Sequence, residues 1–215
     1  MAIANVNIEK LLEIASPPFC DLLPGGDTLP SGTGGEELLS LLKMRNGFVA
    51  FEGALRFFPL CEGQSVPYDM EFWNSDDAWR TSYGDMASGL WFFAENAVGE
   101  QYAIDTEKGG IVSFEPETGE RKPMAEDMEG WADTVLDDWQ YVTMHPLVSK
   151  WQQINGPLSF KETLVPKRLF VTGGAYEAEN LYAVDSVGSM NFRGDIALQI
   201  KDLPGGAKIR IRVIE

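Results

Sequence analysis

The residue types that carry most enzyme chemistry are scarce in this chain of 215 residues. It holds one histidine, His145, which excludes most hydrolase triads and any metal site built from several histidines. His145 precedes a proline at a predicted helix break, a position more typical of a structural role than of a catalytic one. Cys20 and Cys61 form no CxxC pair, and either could act as a nucleophile only with that single histidine as its base. We predict two free thiols in a reducing cytoplasm in preference to one disulfide.

Carboxylates are plentiful, so the residue count is compatible with a hydrolase that uses two of them. Such a site is recognised by the separation of its carboxylates in space, which a sequence does not supply. The pairs Asp76-Asp77 and Asp137-Asp138 lack the alternating acids and central glycine of a calcium loop. No Gly-Lys-Ser/Thr ending follows the glycines of residues 25–35, so they do not predict a phosphate-binding loop. We therefore predict no catalytic, cofactor-binding or metal-binding residues.

The negative charge of the chain is concentrated in its middle. Residues 62–138 hold 19 acids and 4 bases, a net charge of −15, out of −16 for the whole chain. Residues 1–61 carry a net charge of −3 and residues 139–215 a net charge of +2. Such a field repels nucleic acid and anionic membranes, and it attracts a basic protein partner and speeds the encounter with it. The alternative is that the charge serves only solubility.

If a partner binds, the acids of this middle part are the candidate binding residues. We predict that they are exposed: Asp76, Asp77, Glu95, Glu107, Glu126, Asp127, Glu129, Asp133, Asp137 and Asp138. Trp73 and Trp79 are secondary candidates, because aromatic side chains often dominate the energy of an interface. The alternative for both tryptophans is a place in the core.

The stretch from Gly89 to Phe114 is predicted to be the centre of the fold. Residues 90–94 form a short apolar run rich in aromatics, residues 101–105 alternate polar and apolar side chains, and residues 111–114 form a third apolar run. Glycine-containing turns separate them. We expect an antiparallel meander, since three strands with one apolar face can be stable where a lone hairpin is not.

Helices and short strands are predicted around this meander. The spacing of Met128, Trp131, Val135, Trp139 and Val142 predicts one long helix over residues 127–142. A first helix is predicted over residues 7–15. Further patterns predict a helix after a capping box at residues 33–36, strands over residues 48–51 and 55–58, and a short helix capped by Asn74 or Ser75.

The sequence Asn155-Gly156-Pro157 is the strongest boundary signal in the chain. We predict an α+β domain over residues 1–155 and a β-rich section over residues 156–215, which could pack on the same domain. The strands predicted in this section cover residues 169–171, 180–184, 195–200 and 207–213. No stretch approaches the roughly 20 apolar residues of a membrane span, and the N-terminus is a poor signal peptide, so we expect a cytoplasmic protein.

An ordered set of these features resembles the SUKH superfamily, the Smi/Knr-type family. The set spans about residues 24–142, and its pieces are the helix ending at Asn46-Gly47, Phe51-Glu52, Leu90-Trp91-Phe92-Phe93-Ala94, Gly99, Tyr102-Ala103-Ile104-Asp105-Thr106, Gly110, and the helix from Asp127 with Trp131 and Leu136. Phe48 stands where the family often has a second glycine, and the strands after residue 157 lie outside the family pattern.

This resemblance implies an α+β fold with a bent, mostly antiparallel sheet flanked by helices, and no catalysis. Bacterial members of this kind typically bind a cognate toxin, often a nuclease, and block it. An acidic protein suits that role, because a nuclease carries a basic cleft for phosphates. The resemblance therefore implies an immunity protein, with a housekeeping scaffold of the same fold as the alternative and a carboxylate-based hydrolase as a third hypothesis.

Overall fold

The structure is a computed structural model that describes residues 6–21, 23, 28–61, 66, 68–204 and 206–207. Its helices are α1 (Val6–Glu13), α2 (Thr33–Met44), α3 (Met70–Trp73), α4 (Met128–Asp137), α5 (Trp139–Val142), α6 (His145–Asn155) and α7 (Ser186–Ile200). Its strands are β1 (Phe48–Ala50), β2 (Leu55–Phe57), β3 (Leu90–Asn96), β4 (Gln101–Asp105), β5 (Ile111–Phe114), β6 (Arg121–Ala125), β7 (Glu162–Pro166) and β8 (Leu181–Asp185). Short 3-10 helices cover Phe51–Gly53, Arg80–Ala87, Phe170–Thr172 and Ala178–Asn180.

Strands β1 to β6 form one antiparallel sheet in chain order, and the predicted central meander is part of it. Leu90 pairs with Asp105 across β3 and β4, and Ile104 pairs with Ile111 across β4 and β5. Gly109 and Gly110 close the second of these hairpins with φ angles of 79° and 81°, which a side chain would strain. The prediction of an α+β fold with an antiparallel sheet flanked by helices is confirmed.

Both faces of the sheet are covered by helices. Phe93 lies against Trp131 of α4, with ring centroids 5.1 Å apart, and α1 and α2 pack beside α4. Phe92, on the other face, contacts Trp79 at 4.9 Å, and α3, the 3-10 helix Arg80–Ala87 and α7 form that layer. All four of these aromatic side chains are fully buried, which stabilises the fold by roughly 1.5–3 kcal/mol for each.

The predicted helix over residues 127–142 is two helices. Asp138 interrupts it with φ −126° and ψ 46°, which are not helical angles. Trp131 faces the sheet, whereas Trp139 stacks on Phe51 at 5.5 Å and contacts His145 at 4.8 Å. The two tryptophans thus pack against different neighbours, and the chain changes direction between them.

Two predicted helix starts are wrong. Helix α2 begins at Thr33 itself, so its N-cap residue is Gly32, which has no side chain to cap it, and Thr33 does not form a capping box. No helix begins at residue 75 or 76. Asp69 caps α3 by accepting the N–H of Phe72, and the side chain of Asn74 instead pairs with the backbone of Phe92 in β3, accepting at 2.8 Å and donating at 2.7 Å.

The section after residue 155 contains less β structure than predicted. The strand predicted over residues 180–184 is present as β8, paired with β7. Residues 169–171 instead overlap a 3-10 helix, and residues 195–200 lie within α7, so those two strand predictions are wrong. The last predicted strand, residues 207–213, lies outside the described residues apart from Ala207.

Residues 195–200 are the last part of α7, which packs closely on an earlier segment of the chain. Met190, Gly194 and Ala197 lie on one side of α7, which packs on the 3-10 helix Arg80–Ala87. A Cβ at Gly194 would come within 2.8 Å of the Ser82 carbonyl oxygen, so the two backbones touch there. Met190 also belongs to the main core. The C-terminal section therefore packs on the sheet, while the division at residues 155–156 stays a prediction.

Cys20 and Cys61 are joined by a disulfide, with their Cα atoms 6.0 Å apart, so the prediction of free thiols is wrong. Asn46 brings the two cysteines together. Its carbonyl oxygen accepts the N–H groups of Phe19 and Cys20 at 3.0 and 3.1 Å. Its side chain exchanges two hydrogen bonds of 2.8 Å with the backbone of Leu60. These contacts join segments far apart in the chain, which is why sequence spacing gave no sign of the bond.

Candidate functional site

Most of the predicted partner-binding acids are on the surface. The exposed ones are Asp76, Asp77, Glu107, Glu126, Asp133, Asp137 and Asp138, and Asp127 and Glu129 are half-buried. Within the described ranges, none of these nine acids forms an ion pair. The charge of the seven exposed acids is therefore directed to the solvent rather than neutralised by neighbouring bases.

Three of these acids form what we call the acidic face of α4: Asp133, Asp137 and Asp138. Asp133 and Asp137 point outward because Trp131 and Val135 of the same helix face the core, and Asp138 follows them as the exposed C-cap residue. Asp133 and Asp137 are four residues apart, and like charges at that spacing destabilise a helix by about 0.2–0.5 kcal/mol. The acidic face of α4 thus opposes helix stability, which favours another role for these acids.

Asp127 and Glu129 have local structural roles. Asp127 accepts the N–H of Gly130 at 2.7 Å and caps α4. Glu129 accepts the N–H groups of Asn7 and Ile8, at 2.5 and 3.2 Å, at the start of α1. Both carboxylates lie at helix N-termini, where a negative charge is stabilising.

The remaining exposed acids lie outside α4. Asp76 and Asp77 follow α3, in the layer on the opposite face of the sheet. Glu107 lies in the turn between β4 and β5 and packs against Gly89. The structure therefore places the predicted acids on several elements, and Glu126, just before α4, lines a pocket with Gly109 and Gly110 of the turn that carries Glu107.

The prediction that Glu95 is exposed is wrong. Its side chain is 2% exposed and forms an ion pair of 2.9 Å with Arg56, which is equally enclosed. Gln101 donates a further hydrogen bond of 2.6 Å to Glu95. Burial raises the pKa of Glu95, and the nearby Arg56 guanidinium opposes that rise. Glu95 lies on an inner strand, and its position next to a turn in the sequence gave no sign of this.

The core alternative holds for Trp73 and Trp79, which are both fully buried. Trp73 donates its indole N–H to Gln101 at 2.9 Å and contacts Phe58 at 4.8 Å. Trp79 packs edge-on against Phe92 and Tyr83. Neither side chain is accessible to a partner in this conformation.

One end of the sheet holds a cleft of about 470 Å³ that is not among the sequence-based predictions. Its acids are Glu100, from the turn between β3 and β4, and Glu115 and Glu117, from the turn between β5 and β6. Alternate turns of a meander lie at the same end of the sheet, so these acids could have been grouped from the predicted strands. We call this cavity the carboxylate cleft.

Two of the three carboxylates are electrostatically perturbed. Burial, followed by repulsion from Glu115, raises the pKa of Glu100 to about 7. Glu117 is 2% exposed; one oxygen accepts the N–H of Val171 at 2.8 Å, and the other finds no hydrogen-bond partner among the described residues. Burial raises the pKa of Glu117 as well. The carboxylate cleft therefore brings together carboxyl groups whose ionised forms its own hydrogen bonds and bases do not fully stabilise.

Aromatic side chains and two bases complete the carboxylate cleft. Tyr141 and Tyr176 are exposed, and Tyr176 stacks on Phe170 with ring centroids 4.0 Å apart. Arg193 of α7 is buried and donates to the Val98 carbonyl at 2.6 Å.

Arg193 needs the glycine beside it, because a Cβ at Gly99 would come within 2.2 Å of the guanidinium. The second base, Lys122, lies 3.5 Å from the exposed Glu120. Among the residues that the structure describes, no three or more acids, histidines or cysteines are placed to hold a metal ion.

Comparison with known proteins supports the fold and names no function. No protein-family model matches the chain, and no curated protein sequence matches it. A solved structure with a similar fold is that of Atu4351 from Agrobacterium tumefaciens, with a TM-score of 0.55 and 13% sequence identity. The match covers 89% of this chain and 88% of Atu4351. Within the described part of the chain, we find no helix long and apolar enough to cross a membrane.

Proposed function

We propose that this protein is an immunity protein, which binds a basic protein toxin stoichiometrically and neutralises it without catalysis. The observation that carries the proposal is the set of exposed acids without ion pairs within the described ranges, above all the acidic face of α4. A protein whose negative charge faces the solvent attracts a cationic partner and speeds the encounter. The resemblance of the sequence to the SUKH superfamily supports the same role.

A nuclease is the toxin class that fits this charge best. Its substrate-binding cleft must be basic to hold phosphates, and an acidic protein that occupies the cleft excludes the nucleic acid. Binding alone is then sufficient for inhibition, and the proposal needs neither a cofactor nor a metal.

Co-expression with the toxin encoded next to the gene tests the proposal. Cells that produce that toxin should survive when they also produce this protein, and the two proteins should co-purify in a 1:1 complex. A matched culture producing the toxin with an unrelated acidic protein controls for charge alone. Cell death despite stable production of this protein would contradict the proposal.

A housekeeping scaffold of the same fold is the alternative from the same resemblance. It would use the same acidic face of α4 toward a resident partner, and its gene would have no toxin gene beside it. Deletion separates the two: loss of an immunity protein harms only cells that meet the toxin, whereas loss of a scaffold changes growth without it.

The carboxylate cleft gives a specific reason to keep a hydrolase as a second candidate. Glu100, with its pKa raised to about 7, shares the cleft with Glu115 and Glu117, and general acids and bases have such pKa values. Turnover of a panel of nitrophenyl glycosides by the protein, lost in Glu100→Gln, would support this function. No turnover above background would leave the binding function as the proposal.

The cellular location follows from the same proposal. An immunity protein acts in the compartment that its toxin enters, and we propose the cytoplasm for a nuclease. The disulfide between Cys20 and Cys61 argues against that compartment, because such bonds are rare in a reducing cytosol. Cell fractionation with immediate alkylation of free thiols tests both the location and the bond.

A further inference from the structure

We propose that the carboxylate cleft is a binding site for an arginine side chain, presented by the protein's partner. The inference rests on the proposed function for the source of that arginine, whereas the chemistry of the site rests on the cleft itself. The cleft has a volume of about 470 Å³, which is enough for an arginine and its neighbouring residues. Three carboxylates and two exposed tyrosines line it.

The charge of the carboxylate cleft selects a cation. Glu100 and Glu115 repel each other, and that repulsion contributes to the raised pKa of Glu100. A bound cation relieves the repulsion, whereas a neutral sugar does not, and an anion would increase it. Glu117 adds a third carboxylate at the wall, with one oxygen that has no partner among the described residues.

The two bases that line the cleft offset its acids only in part: Lys122 lowers the pKa of Glu100 and Arg193 that of Glu117, yet both pKa values stay raised. Arg193 directs its guanidinium to the Val98 carbonyl and toward the sulfur of Met190, and it forms no ion pair within the described residues. Lys122 lies toward Glu120, at 3.5 Å. One guanidinium and one ammonium thus share the cleft with three carboxyl groups.

The shape and the aromatic groups favour arginine over lysine. A guanidinium is planar and can donate to two carboxylates at once. Glu100 and Glu115, which lie on two turns at the same end of the sheet, would be those two carboxylates. Its flat face can stack on a tyrosine ring, and the Tyr176 ring is already held by its stacking on Phe170. Tyr141, which is 75% exposed, offers a second ring at the mouth of the cleft.

The first test uses small probes and does not depend on any toxin. Blocked arginine and a blocked Arg-Gly-Arg tripeptide are titrated into the full chain and followed by NMR, beside the same probes with citrulline, which has the shape but not the charge. We expect the arginine probes to shift signals of Tyr141 and Tyr176 and to bind at least about fivefold more tightly than the citrulline probes. Equal binding of the two series, tighter binding of neutral disaccharides, or no binding of any probe would overturn the proposal.

Matched variants locate the site. Glu115→Gln and Glu117→Gln each keep shape and remove charge, and each should weaken the arginine probes about fivefold or more. Glu120→Gln changes an exposed acid of the same turn outside the cleft and should leave binding unchanged. Thermal unfolding confirms that each variant is folded, and loss of binding equal in all three would overturn the assignment to the cleft.

The second test links the cleft to the partner. In the toxin co-expression assay, the Glu115→Gln and Glu117→Gln double variant should protect less well than the wild type and than Glu120→Gln. Full protection by the double variant would overturn the role of the cleft in partner binding while the proposed function stands. Failure of the wild type to protect would overturn the proposed function, and the probe titrations would still decide the chemistry of the cleft.

Discussion

Arg56 of β2 and Glu95 of β3 stand opposite each other in the sheet, with a guanidinium nitrogen 2.9 Å from a carboxylate oxygen and both side chains almost fully enclosed. The other terminal nitrogen of Arg56 donates to the carbonyl of Glu162 at 2.7 Å. Arg56 also lies over the ring of Phe160, 4.7 Å from its centroid. The ion pair thus joins the central sheet to the section after residue 155, and it contributes to the fold rather than to an exposed binding surface.

We predict that Arg56→Met destabilises the protein by about 3–5 kcal/mol, because it leaves Glu95 buried without its cation. A double variant in which Glu95→Met is added should recover part of this loss, since no charge is then buried. Urea unfolding of both variants and the wild type measures the two effects. If Arg56→Met lowers the free energy of unfolding by less than about 1 kcal/mol, groups other than Arg56 stabilise the buried carboxylate of Glu95.

The disulfide between Cys20 and Cys61 should stabilise the protein by about 4 kcal/mol, because it closes a separation of 41 residues. Replacing both cysteines by serine should therefore lower the free energy of unfolding by that order. Reductant should lower the stability of the wild type to the same value and leave the variant unchanged. Two free thiols titrated in the unreduced, denatured protein would contradict the bond.

The central sheet could be predicted from the sequence because its contacts are local. The strands β3, β4 and β5 follow each other through short turns. The apolar runs, the alternation of polar and apolar residues and the turn glycines within these 26 residues are therefore enough to predict the meander. Helix α4 could be predicted for the same reason, since Trp131 and Val135 repeat at helical spacing. The end of α4 before Asp138 could not be predicted, because it depends on the packing of Trp139 on Phe51, which is far away in the chain.

The candidate site was less predictable, since it depends on contacts between distant segments. Glu95 has the sequence context of a turn acid, and only its partner Arg56, 39 residues earlier, makes it a core residue. The strand predicted over residues 195–200 lies within α7 instead, and the packing of α7 on the distant 3-10 helix Arg80–Ala87 is not visible in the local sequence. The exposure of acids such as Asp133 and Asp137 could be predicted from the apolar pattern of one helix, and that prediction is confirmed.

We predict that reversing charge on the acidic face of α4 slows partner binding without unfolding the protein. Asp137→Lys with Asp138→Lys changes two exposed side chains, and surface changes usually alter stability by under about 0.5 kcal/mol. The association rate with the toxin should fall most at low salt and approach the wild-type rate near 1 M salt, where screening acts within about 3 Å. Stopped-flow measurements at several ionic strengths provide the rates.

The matched control for this charge reversal is Asp195→Lys with Asp202→Lys. It makes the same change in net charge at two exposed acids outside the middle part of the chain. Its association rate should fall less than that of the α4 variant. Equal slowing by both pairs would mean that net charge alone directs the encounter, and unchanged rates in the α4 variant would remove that face from the interface.

We predict that Glu100 makes the folded protein less stable as pH rises through its titration. Its pKa is raised to about 7 in the fold, by burial first and by Glu115 second, while hydrogen bonds from Ser113 and Asn96 and the charge of Lys122 oppose the rise. The folded state therefore holds this proton more tightly than the unfolded state, whose pKa is near 4.5. Since the unfolded state loses the proton first, the contribution of Glu100 to stability falls between about pH 4.5 and pH 7 and stays low above it.

Glu100→Gln removes this titration and should be more stable than the wild type at pH 8 by roughly 1–3 kcal/mol, with the difference shrinking toward pH 4.5. Urea unfolding of both proteins across that range measures it. Glu115→Gln should move the titration of Glu100 to lower pH, because it removes the repelling charge, and blocked arginine should move it in the same direction by binding the ionised form. A stability difference between wild type and Glu100→Gln that does not vary with pH would show that Glu100 is solvated like a surface acid and that the carboxylate cleft holds no excess of negative charge.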